Sequence, residues 1–268
     1  MVPPALRGLL RSTPTIAPIP HRGILSVFGP QASEFLNGLL ATSIREPIKG
    51  PIFSTFLHAQ AGGFIFKRCG RVLYDVFLYS ADSNGKRGYL LEYDARPSEA
   101  PPLLSYIKRH VLRSKVKVRD VSGEYDVWAA WGAPGDRLWE SKRNWDWARS
   151  GAVEPVWDTS EMWPWGTASH DLVTEESYAL HRILHGVPEG STEIVPMQAF
   201  PMDSNLDVMG GLDFRKGCYV GQELTVRTYH TGVIRKRILP VVIHPQDQYV
   251  LFVILVEPVL TIFLAQGY

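Results

Sequence analysis

Asp82-Ser83-Asn84-Gly85-Lys86 separates two strand-like segments, Val72–Tyr79 and Gly88–Tyr93, and constrains the fold more than any other stretch. Asn-Gly supplies the positive φ values of a tight turn, so the two segments are predicted to form a β-hairpin. Gly23–Gly29, Ile52–Leu57, Lys115–Asp120 and Tyr125–Trp131 read as further strands. A helix is predicted over Gln31–Leu40, with Phe35, Leu36, Leu39 and Leu40 inward. Ser98–Arg113 reads as a second helix, opened by a capping Ser with prolines in the first turn. Thr174–Gly186 is the clearest helix: Thr174 can cap it, Glu175 and Glu176 suit its positive end, and Gly186 can end it. Strands and helices mix without regular βαβ alternation, so the expected class is α+β with mixed or antiparallel sheets. Ala133–Trp165, rich in Trp, Pro and charge, reads as loop-heavy surface around a short helix.

A chain of 268 residues can hold one large domain or two smaller ones, and 45% apolar residues suffice for a substantial core. The net charge of +1 gives no global field that would argue for nucleic acid. The basic runs Lys108–Arg119 and Arg235-Lys236-Arg237 could still hold anions, a solvated face being the favoured reading of the first. Cys69 and Cys218, the two cysteines, cannot define a disulfide framework, which suits a reducing interior.

Glu34 is the first acidic residue, and Arg7, Arg11 and Arg22 precede it among Ser12, Thr13 and Thr15. That composition predicts a mitochondrial presequence over residues 1–20, a Pro-rich disordered tail being the alternative. At the other end, Tyr249–Leu264 nearly reaches the ~20 apolar residues that cross a bilayer. Glu257 and Pro258 near its centre count against a tail anchor, so no membrane partner is expected.

Arg215-Lys216-Gly217-Cys218-Tyr219-Val220-Gly221-Gln222-Glu223 carries the chemistry. Cys218 sits between glycines and behind two cations. Glycine permits close approach of a partner to the backbone, and nearby Arg and Lys favour the thiolate. A buried turn thiol is the alternative. Gly221-Gln222-Glu223 is expected to open a short helix whose free N–H groups could hold an anion, with Lys216 and Arg227 adding charge. Glu223 reads equally well as an ordinary first-turn acid. His181 and His185 have metal-ligand spacing, but no third ligand stands near them in the sequence. No G-x-G-x-x-G, Walker or G-x-S-x-G element is present, against dinucleotide, nucleotide and α/β-hydrolase chemistry.

Lys216–Glu223 resembles the signature of the YgfZ-type iron–sulfur assembly proteins, relatives of the folate-dependent glycine-cleavage T-protein. The likeness continues through Leu224–Arg237 and takes in Gly186–Gly190, Pro201–Asp207, Phe28–Ala32, Phe35–Leu39 and Arg71–Phe77. It spans residues 24 to 243, and the long basic tail of the motif is similar to the mitochondrial branch. Two places depart from the pattern. Residues 61–69, with Cys69, read as a hairpin-loop insertion or a retained intron. Residues 241–268 stand as an apolar remnant where the family continues into a C-terminal β-barrel, and a replaced reading frame is the favoured explanation.

The resemblance implies an aminomethyltransferase-like folate-binding fold over residues 21–240, with the barrel truncated or replaced. It further implies a mitochondrial matrix assembly factor that promotes [4Fe–4S] clusters on target enzymes with A-type scaffold partners. Cys218, Lys216, Gly217, Tyr219, Gly221, Gln222 and Glu223 would form its site. Cys218 would donate one ligand to a transient bridging cluster, because one thiolate cannot hold a cluster alone. A partner or glutathione would supply the rest. The alternative is a folate-dependent aminomethyl or one-carbon transferase. Asp75 and Asp203 would then be the acids that grip the pterin of tetrahydrofolate, with Tyr74 and Arg227 as weaker candidates. Asp203 stands where the aminomethyltransferases carry Glu.

Overall fold

A computed structural model describes residues 15–45, 48, 51–58, 70–83, 85–132, 144–156 and 171–240. Residues 1–14 of the expected presequence, Cys69 with its insertion, Asn84, most of the 133–165 stretch and the apolar remnant 241–268 lie outside the described residues.

The predicted hairpin organises the larger sheet. β4 (Val72–Ser83) and β5 (Lys86–Asp94) pair antiparallel from Val76↔Tyr93 to Ser83↔Lys86, and Gly85 turns between them at φ +72°. β4 outruns its expected end at Tyr79 because the pairing continues to the turn. β2 (Arg22–Phe28) pairs with β5, β6 (Lys117–Asp120) with β2, and β3 (Ile52–Leu57) with β4. The order is β3-β4-β5-β2-β6 with every neighbour antiparallel, so the chain is α+β as expected.

Helices α1 (Ala32–Asn37) and α2 (Leu103–Val111) share one core with this sheet. Phe35, Leu36, Leu103 and Ile107 pack with Leu25, Val27, Leu78 and Leu91. Burying each such side chain contributes about 1.5–3 kcal/mol. α2 starts later than predicted because Pro102 is extended (ψ 126°), so the prolines precede the helix instead of entering it. It stops at Val111 because Leu112 turns to φ +42°.

β1 (Thr15–Pro18) is the unexpected element. It pairs antiparallel with β7 (Trp128–Trp131) and parallel with β10 (Asp171–Leu172), forming the middle of a three-stranded sheet. Thr15 and Ala17 are inaccessible to solvent. The folded body therefore includes residues expected in a presequence ending near 20: cleavage there would remove the middle strand. β8 (Asn144–Trp147) and β9 (Val153–Val156) form a separate hairpin. α3 (Glu175–Leu184) follows extended Thr174, opens on two acids, and gives way to Gly186 at φ +68°. No helix among the described residues is long and apolar enough to cross a membrane.

The Gly186–Gly190 stretch is fastened to the sheet by two aspartates. Asp75 on β4 accepts from Gly190 N at 3.0 Å. Asp94 on β5 accepts from Ser191 N at 2.7 Å, Ser191 Oγ at 2.8 Å and Arg96 Nη2 at 2.7 Å. Burial pushes the Asp94 carboxyl up, but the bonds from Arg96 and Ser191 hold it well below the usual carboxylate range. A depressed folded pKa stabilises the fold above the unfolded value and is lost as pH falls through the folded one. Asp94→Asn should therefore cost about 2 kcal/mol at pH 7. That difference should stay level down to about pH 4, the unfolded value, and shrink below it. Urea melts of both proteins across pH 7 to 3 measure it, and a difference that grew toward acid would contradict the assignment.

Candidate functional site

The cysteine loop is held along the exit of α1. Asp213 N donates to Ala41 O at 2.8 Å, and its carboxylate accepts from Ser43 Oγ at 2.6 Å and from Arg215 N at 2.9 Å. The Lys216 ammonium donates to Asn37 O at 2.8 Å, Leu40 O at 2.6 Å and Thr42 O at 3.0 Å. Val220 N reaches Gly38 O at 3.0 Å. Two side chains pin the loop from within. Buried Tyr219 joins Met202, Leu206 and Leu212 in a second core, while half-buried Val220 packs against the main one. Between these anchors Arg215, Gly217 and Cys218 are exposed.

The expectation for Lys216 changes in one respect. Its three N–H groups go to main-chain carbonyls, so it anchors the loop and has no donor left for a thiolate. Burial lowers its pKa to about 8, with Asp213 acting the other way. The glycines also divide. Gly217 faces open space, where a Cβ would meet nothing within 4 Å. Gly221 sits at φ +84°, and a Cβ there would lie 2.6 Å from Leu57 Cβ and 2.9 Å from His58 O. Gly217 leaves room for a partner, whereas Gly221 is required by the fold.

Gly221 opens α4 (Gln222–Thr231), longer than the short helix expected. Gln222 Oε1 accepts from Tyr219 N at 3.1 Å, closing the turn that carries Cys218. Glu223 and Arg227 are exposed on the helix, Glu223 in its first turn. Asp213 is the loop residue sequence reasoning missed. Its signal was local: an Asp two residues before Arg215 can accept that residue's N–H and fix a turn.

Two of the residues expected to grip folate, Asp75 and Tyr74, are buried and bonded within the fold. Asp75 is 3% exposed and belongs to a buried charge cluster. Arg22 pairs with Glu92 at 2.8 Å, Glu189 at 3.7 Å and Asp75 at 3.9 Å. Burial raises the Asp75 carboxyl, with Arg22 opposing. Tyr74 is also buried; its hydroxyl donates to Pro101 O at 3.0 Å and burial raises it to about 12. Asp203 is half-buried and raised by burial, against the cations Lys236, Arg237 and Arg71. These residues, as placed, do not fit a pterin grip. His181 on α3 stacks on the Trp131 ring at 5.2 Å, and the ring of His185, just past the helix end, tilts against it at 4.4 Å. Burial, then His185, lowers His181 to about 4. Among the described residues no group of three metal-capable side chains forms.

The contrast between the glycines is testable. Gly221→Ala should cost about 2 kcal/mol or more, from a left-handed backbone and a forced contact. Gly217→Ala should be neutral or slightly stabilising, by up to about 1 kcal/mol. Chemical denaturation measures both, and equal costs would contradict the geometry.

No family model matches the chain. Among curated proteins it is 39% identical over 272 residues to the "Iron-sulfur cluster assembly factor IBA57 homolog, mitochondrial" of Cryptococcus neoformans var. neoformans serotype D, covering 88% of this chain and 68% of that one. The proteins of the same name from Pyricularia oryzae (42% identical, 83% of this chain, 56% of theirs) and Neurospora crassa (41%, 83%, 52%) are also similar. The chain thus spans 52–68% of these relatives' lengths. Among solved structures, the glycine cleavage system aminomethyltransferase T of Bartonella henselae is aligned at TM-score 0.33 and 18% identity, over 44% of this chain and 29% of that one. On its identity to the curated relatives across most of its length, the chain belongs to the mitochondrial IBA57 family.

Proposed function

We propose that this protein is an iron–sulfur cluster assembly factor of the mitochondrial matrix that promotes [4Fe–4S] formation on target enzymes with A-type scaffold partners. The observation that carries this reading is the exposed thiol of Cys218 on a loop anchored on both sides. The cluster is cargo. Cys218 releases its thiol proton to solvent and supplies one thiolate ligand, while a scaffold protein or glutathione supplies the others. Arg215, three residues earlier on the same exposed loop, brings positive charge that suits a thiolate-bound, negatively charged cluster. Open space at Gly217 admits the partner's backbone. The relatives' name supports the class of function; the cluster type, the scaffold and the ligand role of Cys218 are the proposal's own content.

One-carbon transfer on tetrahydrofolate is the weaker reading. It needs acids free to meet a pterin, and Asp75 is committed to Gly190 and the Arg22 cluster. Reconstitution decides. Cys218→Ala should lose most maturation of a [4Fe–4S] target from a cluster-loaded A-type scaffold, while Cys69→Ala should retain it. Maturation at the normal rate by Cys218→Ala would overturn the proposal. Tight calorimetric binding of tetrahydrofolate with aminomethyl turnover would promote the folate reading in its place.

A further inference from the structure

We infer that Lys216 is a positioning residue for Cys218: its ammonium, caged by the carbonyls of Asn37, Leu40 and Thr42, aims the thiol at the incoming cluster. The inference rests on the ligand role proposed for Cys218. It follows from an accounting of donors and acceptors. Asn37 ends α1, and the last carbonyls of a helix lack intrahelical partners and draw cations, whereas Leu40 and Thr42 lie beyond the helix on its exit. α1 carries no basic residue in its last turn. Lys216 supplies the missing cation from 174–179 residues further along the chain. An ammonium has three hydrogens in a tripod, and three acceptors stand at 2.6–3.0 Å. A guanidinium is a planar fork and cannot reproduce that convergence. The Tyr219 ring, 5.0 Å from Nζ, closes another side of the cage.

The cage matters to the thiol because of what surrounds it. Only Gly217, Cys218 and Tyr219 separate the caged side chain from Val220, whose N–H is bonded to Gly38 on the same α1 exit. Both ends of the thiol-bearing turn are thereby fixed to one short piece of backbone. Without the cage, the turn keeps its Tyr219–Val220 anchor but loses its other one, and Gly217, with no side chain and the freest backbone, becomes a hinge that lets Cys218 reorient. A misplacement of about 1 Å can cost on the order of 100-fold in rate where reacting groups must meet in one geometry.

The test uses a nitroxide attached to Cys218 in a Cys69→Ser background, alongside unlabelled proteins for cluster transfer. The parent should give an immobilised spectrum and Lys216→Ala a mobile one. n-Propylammonium, which replaces the missing Cγ to Nζ atoms, should restore immobilisation; tetramethylammonium, with no N–H, should not. In parallel, transfer to a [4Fe–4S] target should fall about tenfold or more in Lys216→Ala and recover with n-propylammonium. Lys216→Arg should remain impaired. An unchanged spectrum, equal rescue by tetramethylammonium, full transfer by Lys216→Arg, or full transfer despite a mobile label would each overturn the inference. Should Lys216→Ala fail to fold, length-matched Lys216→Met takes its place in the spectral and transfer arms; if that too fails to fold, Lys216 is a folding residue and the inference is overturned. The spectral arm stands even if Cys218→Ala proves harmless, so the two failures are distinguishable.

Discussion

The site depends on a contact between two stretches of backbone with no side chain between them. Gly70 and Gly221 both have positive φ, and a Cβ on Gly70 would lie 2.7 Å from Leu224 Cβ and 3.4 Å from Gly221 O. The base of the β3–β4 connection, where His58 and Arg71 are bonded, therefore lies directly on the first turn of α4. Close approach of this kind is open only to glycine. It joins the five-stranded sheet to the segment that carries the cysteine, and the α1 exit completes the seat from the other side. The thiol stands on two rigid elements, although its own loop has no regular structure.

A second framework is electrostatic. Arg22 on β2 is buried among Glu92, Glu189 and Asp75, and the hydroxyls of Tyr79 and Tyr178 donate to Glu92 and Glu189 at 2.6 Å. Removing one member would strand a buried charge, which typically costs 3–5 kcal/mol. Arg237 plays a similar part, joining Asp207 to Gly151 O and Met202 O. These networks tie the Gly186–Gly190 and Pro201–Asp207 stretches to the sheet and to the β8–β9 hairpin. Both stretches, which resemble the YgfZ-type assembly proteins, serve here as structural joints.

Sequence made the strands legible where pattern and turn chemistry agreed. β3 falls on Ile52–Leu57 as read, and β4–β5 form the hairpin that Asn84-Gly85 demanded. β1 was illegible because its four residues sit in an acid-free, Pro-containing segment whose composition pointed to targeting; only tertiary pairing reveals it. α2 was over-read at both ends, since Pro102 and Leu112 act through backbone geometry that spacing does not carry. At the site, an exposed Cys218 and a helix opening at Gly221 agree with the reading. The partners of Lys216 lie more than 170 residues away, so its charge could be seen but not its destination. The resemblance offered Asp75 as a pocket acid, while nothing nearby in sequence announces its bond to Gly190 or its pairing with Arg22.

On the proposed ligand role, a single thiol on a fixed turn suits transient ligation better than storage, because one thiolate cannot hold a cluster and the other ligands would come and go with a partner. The direct measurement is protection of Cys218 from alkylation in an anaerobic complex with a cluster-loaded A-type scaffold, read by mass spectrometry. Cluster ligation predicts that Cys218 is blocked while the cluster is present and reacts once the cluster is chelated away. Alkylation of Cys218 at the free-protein rate within the cluster-bound complex would contradict the account.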